Sequence, residues 1–220
     1  DTLDYILLTH WHPDHVNGLR LVQSRDLSAH DGLLDALAGG GPTLVTTETV
    51  YERTRDIFGQ LDHFRQQGFL DVQFLDDEPL TIDDTTIRSI PYALEDDELD
   101  ATAFEITRDD QTLLIASDDA RYLDEESLPA EIDLAVFECG YFERRPDGDR
   151  ILTDADLNFL ADELTHEEVL ARIDRLDPDR ALLTEIEHFT ARSHDHFETL
   201  AASDAYEGIE FAHDGLELEL

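Results

Sequence analysis

The stretch His10-Trp11-His12-Pro13-Asp14-His15 places three imidazoles and a carboxylate within six residues. Imidazole nitrogen and carboxylate oxygen are the usual protein ligands of zinc and similar divalent ions. The group follows the apolar run Tyr5-Ile6-Leu7-Leu8, so it sits where a strand ends and a turn begins. His10 and His12, two apart, lean the same way off an extended backbone. Pro13 disfavours helix at His12, and Asp14 and His15 follow it. One pair can therefore face one metal ion and the next pair a second. The bland alternative is a His-rich surface turn.

The elements needed to hold such a group are legible around it. Residues 3–8 read as a buried strand, and Asn17 to Val22 as the start of a helix behind the metal loop. Residues 24–41 are polar and end in Gly39-Gly40-Gly41-Pro42, as a loop does. Thr43–Thr46 reads as a short strand, and Thr47 as the cap of a helix to about Phe58 with Glu48 in its first turn. Residues 71–75 and 80–90 have strand character. Ala103–Thr107 and Thr112–Ala116 flank Arg108-Asp109-Asp110-Gln111 as a hairpin. Leu134–Phe137 and Ala181–Thr184 are further apolar strands. Thr165 to Glu168 forms a capping box for a helix over His166–Leu176, whose Val169, Leu170, Ile173 and Leu176 share one face. Ser193 to His196 opens a last helix. Ile209–Ala212 and Leu216–Leu220 are predicted as closing strands around the turn His213-Asp214-Gly215. Interleaved strands and helices without a repeat or linker fit one domain over 1–220, an α/β (α+β) sandwich of mixed sheets with outer helices.

Composition narrows the partners. The chain has 220 residues, 41% of them hydrophobic, enough for a real core. There are 54 acidic and 15 basic residues, every basic one Arg, for a formal charge of −39. The apolar periodicity argues against acidic disorder. The acidity reads instead as adaptation to concentrated salt, pointing to a halophile, since dense carboxylates keep a protein soluble but repel one another in dilute buffer. Such a charge disfavours nucleic acid. No long apolar run or basic amphipathic helix suggests a membrane. The single cysteine, Cys139, excludes an internal disulfide framework and weakly suggests a cytoplasmic location; it reads as a buried small hydrophobe. The chain has no Met and begins inside an apparent strand, so a processed or missing N-terminal piece is expected.

The spacing H-x-H-x-D-H after a strand resembles the signature of the metallo-β-lactamase-fold hydrolases. That resemblance implies a four-layer αββα sandwich with two zinc ions. It also implies a bridging aspartate after a later strand. Thr112-Leu113-Leu114-Ile115-Ala116-Ser117-Asp118-Asp119 is similar to that segment, with Asp118 the better candidate and Asp119 its neighbour. Two further histidines implied by the family are missing. One belongs in Ile90-Pro91-Tyr92-Ala93-Leu94-Glu95-Asp96-Asp97, which has none. The other belongs at Glu185 in Thr184-Glu185-Ile186-Glu187-His188. Glu185, with one of Glu95, Asp96 or Asp97, could replace them and give an oxygen-rich site suited to manganese or magnesium. Alternatively, one metal position is weak or empty, or the fold has outlived its activity. The family's first strands, with a Gly-rich turn and an aspartate, would precede residue 1; if they are truly absent, one edge of the first sheet is open.

Residues 184–188, the acidic helix before them and Phe211-Ala212-His213-Asp214-Gly215-Leu216-Glu217-Leu218 are similar to the phosphoribosyl cyclic phosphodiesterases. This resemblance implies a metal-dependent phosphodiesterase acting on a small phosphodiester. His10 and His12 would hold one ion, Asp14, His15 and Glu185 the other, and Asp118 would bridge them. Asp14 would also orient the nucleophilic water. His188 would protonate the leaving alkoxide or orient Glu185. Trp11 and Tyr92 could line the pocket or belong to the core. His166, His194 and His196 read as surface or capping residues, and His30 and His63 show no partner pattern. The rival functions are thioester, lactone or β-lactam hydrolysis or RNA cleavage on the same fold, or a non-catalytic binding protein. A homo-oligomer is possible.

Overall fold

The computed structural model describes residues 3–23, 40–75, 78–94, 98–118, 120–186 and 192–220. A short strand β1 (Tyr5–Leu7) runs into the His-rich loop and one helical turn, α1 (Pro13–Val16), with proline in the first turn where its missing N–H is harmless. A 3-10 helix over Asn17–Gln23 follows, where the sequence suggests the start of a helix. Next come β2 (Thr43–Thr46), α2 (Glu48–Ile57), α3 (Leu61–Gln66) and β3 (Asp71–Phe74). Strands β4 (Leu80–Ile82), β5 (Thr85–Tyr92), β6 (Ala101–Arg108), β7 (Gln111–Ala116) and β8 (Leu134–Glu138) lead to α4 (Asp154–Phe159) and α5 (His166–Leu176). The chain closes with β9 (Arg180–Thr184), α6 (His194–Ala201) and β10 (Ile209–Phe211).

Two sheets result. Strands β1, β2 and β3 form a parallel sheet, with β1 at an edge. The second sheet has the order β10-β9-β8-β7-β6-β5-β4. Its β7 to β10 half is parallel and its β4 to β7 half antiparallel. The β6–β7 connection is the expected hairpin, with a turn of two residues rather than four: Arg108 pairs with Gln111 and Asp109 and Asp110 are both at positive φ, the geometry of a turn that matches strand twist.

Strand alternation sorts the core into layers. On β2, Leu44 packs with Tyr51 of α2 and Leu61 and Phe64 of α3, while the adjacent Val45 faces Ile87, Phe104 and Leu75 between the sheets. On β7, Ile115 joins that inter-sheet layer, while Leu114 and Ala116 face Val169 and Ile173 of α5. Helices therefore cover the outer face of each sheet, as the sequence leads one to expect.

The caps follow sequence closely. Thr47 Oγ1 accepts from Val50 N, Ser193 accepts from His196 N, and Thr165 and Glu168 form a reciprocal capping box at α5. Two expectations are corrected. Leu216–Leu220 forms no strand: beyond β10 the chain turns at Asp214-Gly215, and its Glu219 carbonyl accepts from the Arg180 side chain rather than from a ladder. His166 is no surface residue but 4% exposed. Its Nδ1 lies 2.7 Å from the Cys139 carbonyl and its Nε2 2.7 Å from the Tyr206 hydroxyl, because Tyr141 N donates to the Leu164 carbonyl and His166 N to the Tyr141 carbonyl, holding the start of α5 against the segment after β8. Among the described residues, no helix is long and apolar enough to cross a membrane.

Candidate metal centre

The site lies where the C-terminal ends of β7 and β9 meet the loop after β1. That loop is pinned to the large sheet: Thr102 N donates to the Thr9 carbonyl at 2.8 Å, and His10 bridges Ala101. His10 is fully buried. Its ring stands 4.5 Å from that of His12 and 4.1 Å from that of His15, centroid to centroid. The turn of α1 brings His15 back over His10, with His15 N and Val16 N both donating to the His12 carbonyl.

Asp118, two residues beyond β7, meets all three imidazoles with one oxygen. Its Oδ2 lies 3.1 Å from His10 Nε2, 3.6 Å from His12 Nδ1 and 3.3 Å from His15 Nε2. His10, His12 and Asp118 offer ligand atoms within 4.8 Å of one another, as do Asp14, His15 and Glu185. Thus all six candidates named from sequence, His10, His12, Asp14, His15, Asp118 and Glu185, come together in two adjoining groups. Asp14 and Glu185 are the exposed members, with Asp14 Oδ2 3.7 Å from His15 Nε2. Glu185 follows β9 at φ +50°, a left-handed backbone that a glutamate adopts only at a cost of about 1–2 kcal/mol. Such strain clusters where a side chain must be aimed. Glu95, Asp96, Asp97, Asp119 and His188 lie outside the described residues.

The electrostatics couple the members. Burial lowers the pKa of His10 below its ordinary value, against the pull of Asp118. Burial acts the same way on His15, but the carboxylates of Asp118, Glu185 and Asp14 outweigh it and raise that pKa. Burial would raise the pKa of Asp118; the three histidines hold it far below the usual carboxylate range instead.

Does this donor set suit a divalent ion? His10 Nδ1 sits 3.0 Å from Thr9 Oγ1. Its buried Nε2 points toward Asp118 but has no hydrogen bond of acceptable geometry among the described residues. A neutral His10 donating from Nδ1 leaves the Nε2 lone pair facing a carboxylate oxygen. A cation between them resolves that repulsion, so the residues fit a metal. Three imidazoles with three carboxylates accept zinc and, being oxygen-rich, manganese as well.

Two aromatic candidates have other roles. Tyr92 is 1% exposed and donates from its hydroxyl to the Asp118 main-chain carbonyl at 2.6 Å. Trp11 donates from Nε1 to Asp100 Oδ2 at 2.9 Å, and the Arg53 guanidinium lies 5.0 Å from the indole centroid. Trp11 also touches the His12 ring edge-on at 4.6 Å. Arg53 thus stands as a cation beside the site. Nothing in the local sequence of α2 marks it, because the contact joins elements distant in the chain. Cys139 is buried, and burial pushes its thiol up to about 12, which removes it as a nucleophile.

Comparison with known proteins agrees with the geometry. The beta-lactamase superfamily domain matches residues 1–186, so the chain belongs to that superfamily. Comparison with curated sequences gives no match. Among solved structures, the chain is similar to a diphosphatase of the PhnP family, with a TM-score of 0.67 and 17% identity over 100% of this chain and 72% of that one. It is similar to the metallo-beta-lactamase fold protein YhfI from Bacillus subtilis, with a TM-score of 0.64, 19% identity and coverage of 97% and 76%. A third is Zn(2+)-bound PqqB from Methylobacterium extorquens, with a TM-score of 0.58, 18% identity and coverage of 99% and 73%. At these identities the likeness concerns the fold.

Proposed function

We propose that the protein is a metal-dependent hydrolase, one domain in extent, that cleaves a small phosphodiester or related phosphate ester. The observation that carries this is the convergence of His10, His12 and His15 on one oxygen of Asp118, with Asp14 and Glu185 completing a second group. His10 is buried and His12, His15 and Asp118 are half-buried, and polar groups withdrawn from water are unfavourable unless something satisfies them. In this reading His10 and His12 hold one ion, Asp14, His15 and Glu185 the other, and Asp118 lies between. Zinc suits the imidazoles, and manganese or magnesium suits the added carboxylates. Bound there, divalent ions supply an acidified water and neutralise charge that develops on the substrate.

The chain's own groups do the rest. Asp14, exposed at the rim, accepts a hydrogen bond from the attacking water and orients it. Arg53, fixed over Trp11 beside His12, attracts an anionic substrate into an otherwise acidic protein. His188 is assigned the proton donor to the leaving alkoxide. Phosphate chemistry is what is named for one protein of the same fold, a PhnP-family diphosphatase.

The test is turnover of bis(4-nitrophenyl) phosphate in molar salt with zinc, manganese or magnesium added in turn. Turnover that Asp118→Asn abolishes supports the reading. No turnover with any divalent ion would transfer the site to a non-catalytic binding role.

A further inference from the structure

Charged side chains are rarely buried unless paired. Two of the buried charged residues among those described, Glu138 at 5% and Arg172 at 7% exposure, converge on the backbone of one residue. Ala120 N donates to Glu138 Oε1 at 2.9 Å, and Arg172 Nη1 donates to the Ala120 carbonyl. Arg172 Nη2 also reaches the Arg121 carbonyl at 3.3 Å, and its Nε donates to Glu125 Oε1 at 3.1 Å. Two residues earlier, the buried Tyr92 hydroxyl donates to the Asp118 carbonyl at 2.6 Å. The gripped segment is the one that leaves β7 carrying the Asp118 carboxylate.

The grip comes from three directions. Tyr92 ends β5, Glu138 ends β8, and Arg172 lies on the apolar face of α5 between Val169 and Ile173. Stability alone does not explain this expense. A buried charge replaced by a well-packed apolar residue of similar volume is often neutral or stabilising. What the polar grip adds is direction: it holds main-chain carbonyl and N–H groups at fixed points, which apolar packing cannot do. A carboxylate that three imidazoles must share tolerates little wandering of its backbone.

We infer that Tyr92, Glu138 and Arg172 form a clamp on the loop after β7 that positions Asp118 for metal binding. The inference rests on the metal reading of the site. The three are positioning residues, acting through the backbone groups of Asp118, Ala120 and Arg121 and touching neither metal nor substrate. Partners of this kind, one step removed from the ligands, are commonly worth 10- to 100-fold in metal affinity.

The experiment compares Tyr92→Phe, Glu138→Leu and Glu138→Gln with Ile173→Val, a conservative buried change on α5 that leaves the hydrogen bonds of all three clamp side chains in place. Each is titrated with cobalt(II) in molar salt, reading affinity and the visible spectrum, and amide exchange over residues 117–122 is followed in metal-free protein. The clamp predicts roughly 10- to 100-fold weaker cobalt binding, an altered spectrum and faster loop exchange for Tyr92→Phe and Glu138→Leu. Glu138→Gln, whose side-chain oxygen still accepts from Ala120 N, should recover most of the affinity, and Ile173→Val should match the wild type. Should Glu138→Leu fail to fold, Tyr92→Phe decides alone. Wild-type affinity and exchange in Tyr92→Phe would overturn the clamp. A wild-type chain that binds no cobalt would instead overturn the metal reading and with it the purpose of the clamp, while the exchange data would still report whether the grip exists.

Discussion

Lowering the pH from 7 to 5 should destabilise the protein through His166 by about 2 kcal/mol. Burial depresses the pKa of this imidazole to about 4, from an ordinary 6.5. Its Nδ1 faces the Cys139 carbonyl, its Nε2 faces the Tyr206 hydroxyl, and Phe142 stacks on its ring at 4.1 Å. The folded state therefore prefers the neutral ring, whereas the unfolded chain takes up a proton near pH 6.5. For a base with a depressed pKa, the stabilisation is complete above the unfolded value. It falls as the pH drops through the window between 6.5 and 4. Linkage puts the loss at about 2 kcal/mol by pH 5, approaching about 3 kcal/mol below pH 4. Many carboxylates titrate over the same range, so the assay is a difference. Urea unfolding of wild type and His166→Gln is measured in molar salt from pH 7.5 to 4.5. The wild type should be more stable at pH 7, and its advantage should shrink by about 2 kcal/mol by pH 5. An advantage constant within about 0.5 kcal/mol would refute the argument, since that is the error of independent additive effects.

The net charge of −39 predicts a melting temperature that rises with sodium chloride up to molar concentration; a salt-independent value would remove the reading of the acidity as salt adaptation. Gly140 sits at φ +68°, and a Cβ there would lie 2.8 Å from His166 N, so Gly140→Ala should cost about 1–3 kcal/mol in urea unfolding. Arg53→Ala should raise KM for an anionic phosphodiester by about tenfold with kcat little changed, as loss of uniform binding does; an unchanged KM would remove Arg53 from substrate binding.

Much of this architecture is legible because its signals are local. The capping residues Thr47, Thr165 and Ser193 announce their helices, and the Asp109-Asp110 turn announces its hairpin. The His-rich loop and Asp118 are legible for the same reason: each directly follows an apolar strand. Helices α3 and α4 are harder to read, being six residues long with little periodicity. The Leu216–Leu220 alternation misleads because a strand also needs a partner, and sequence pattern does not supply one. His166 is polar and opens a helix, so its burial depends on Phe142, Tyr206 and Phe211, which arrive from distant segments. Arg172 did leave a trace, a charge on the apolar face of α5, and Glu138 another, an acid closing an apolar strand. Their common target is a product of tertiary structure alone.

The most direct test of the central claim is the metal content of protein purified in molar salt without chelator, measured per chain by elemental analysis. The account predicts about two divalent ions, falling in Asp118→Ala because its Oδ2 lies beside His10 and His12 of one group and His15 of the other. No ion in the wild type, even after incubation with zinc or manganese, would contradict it.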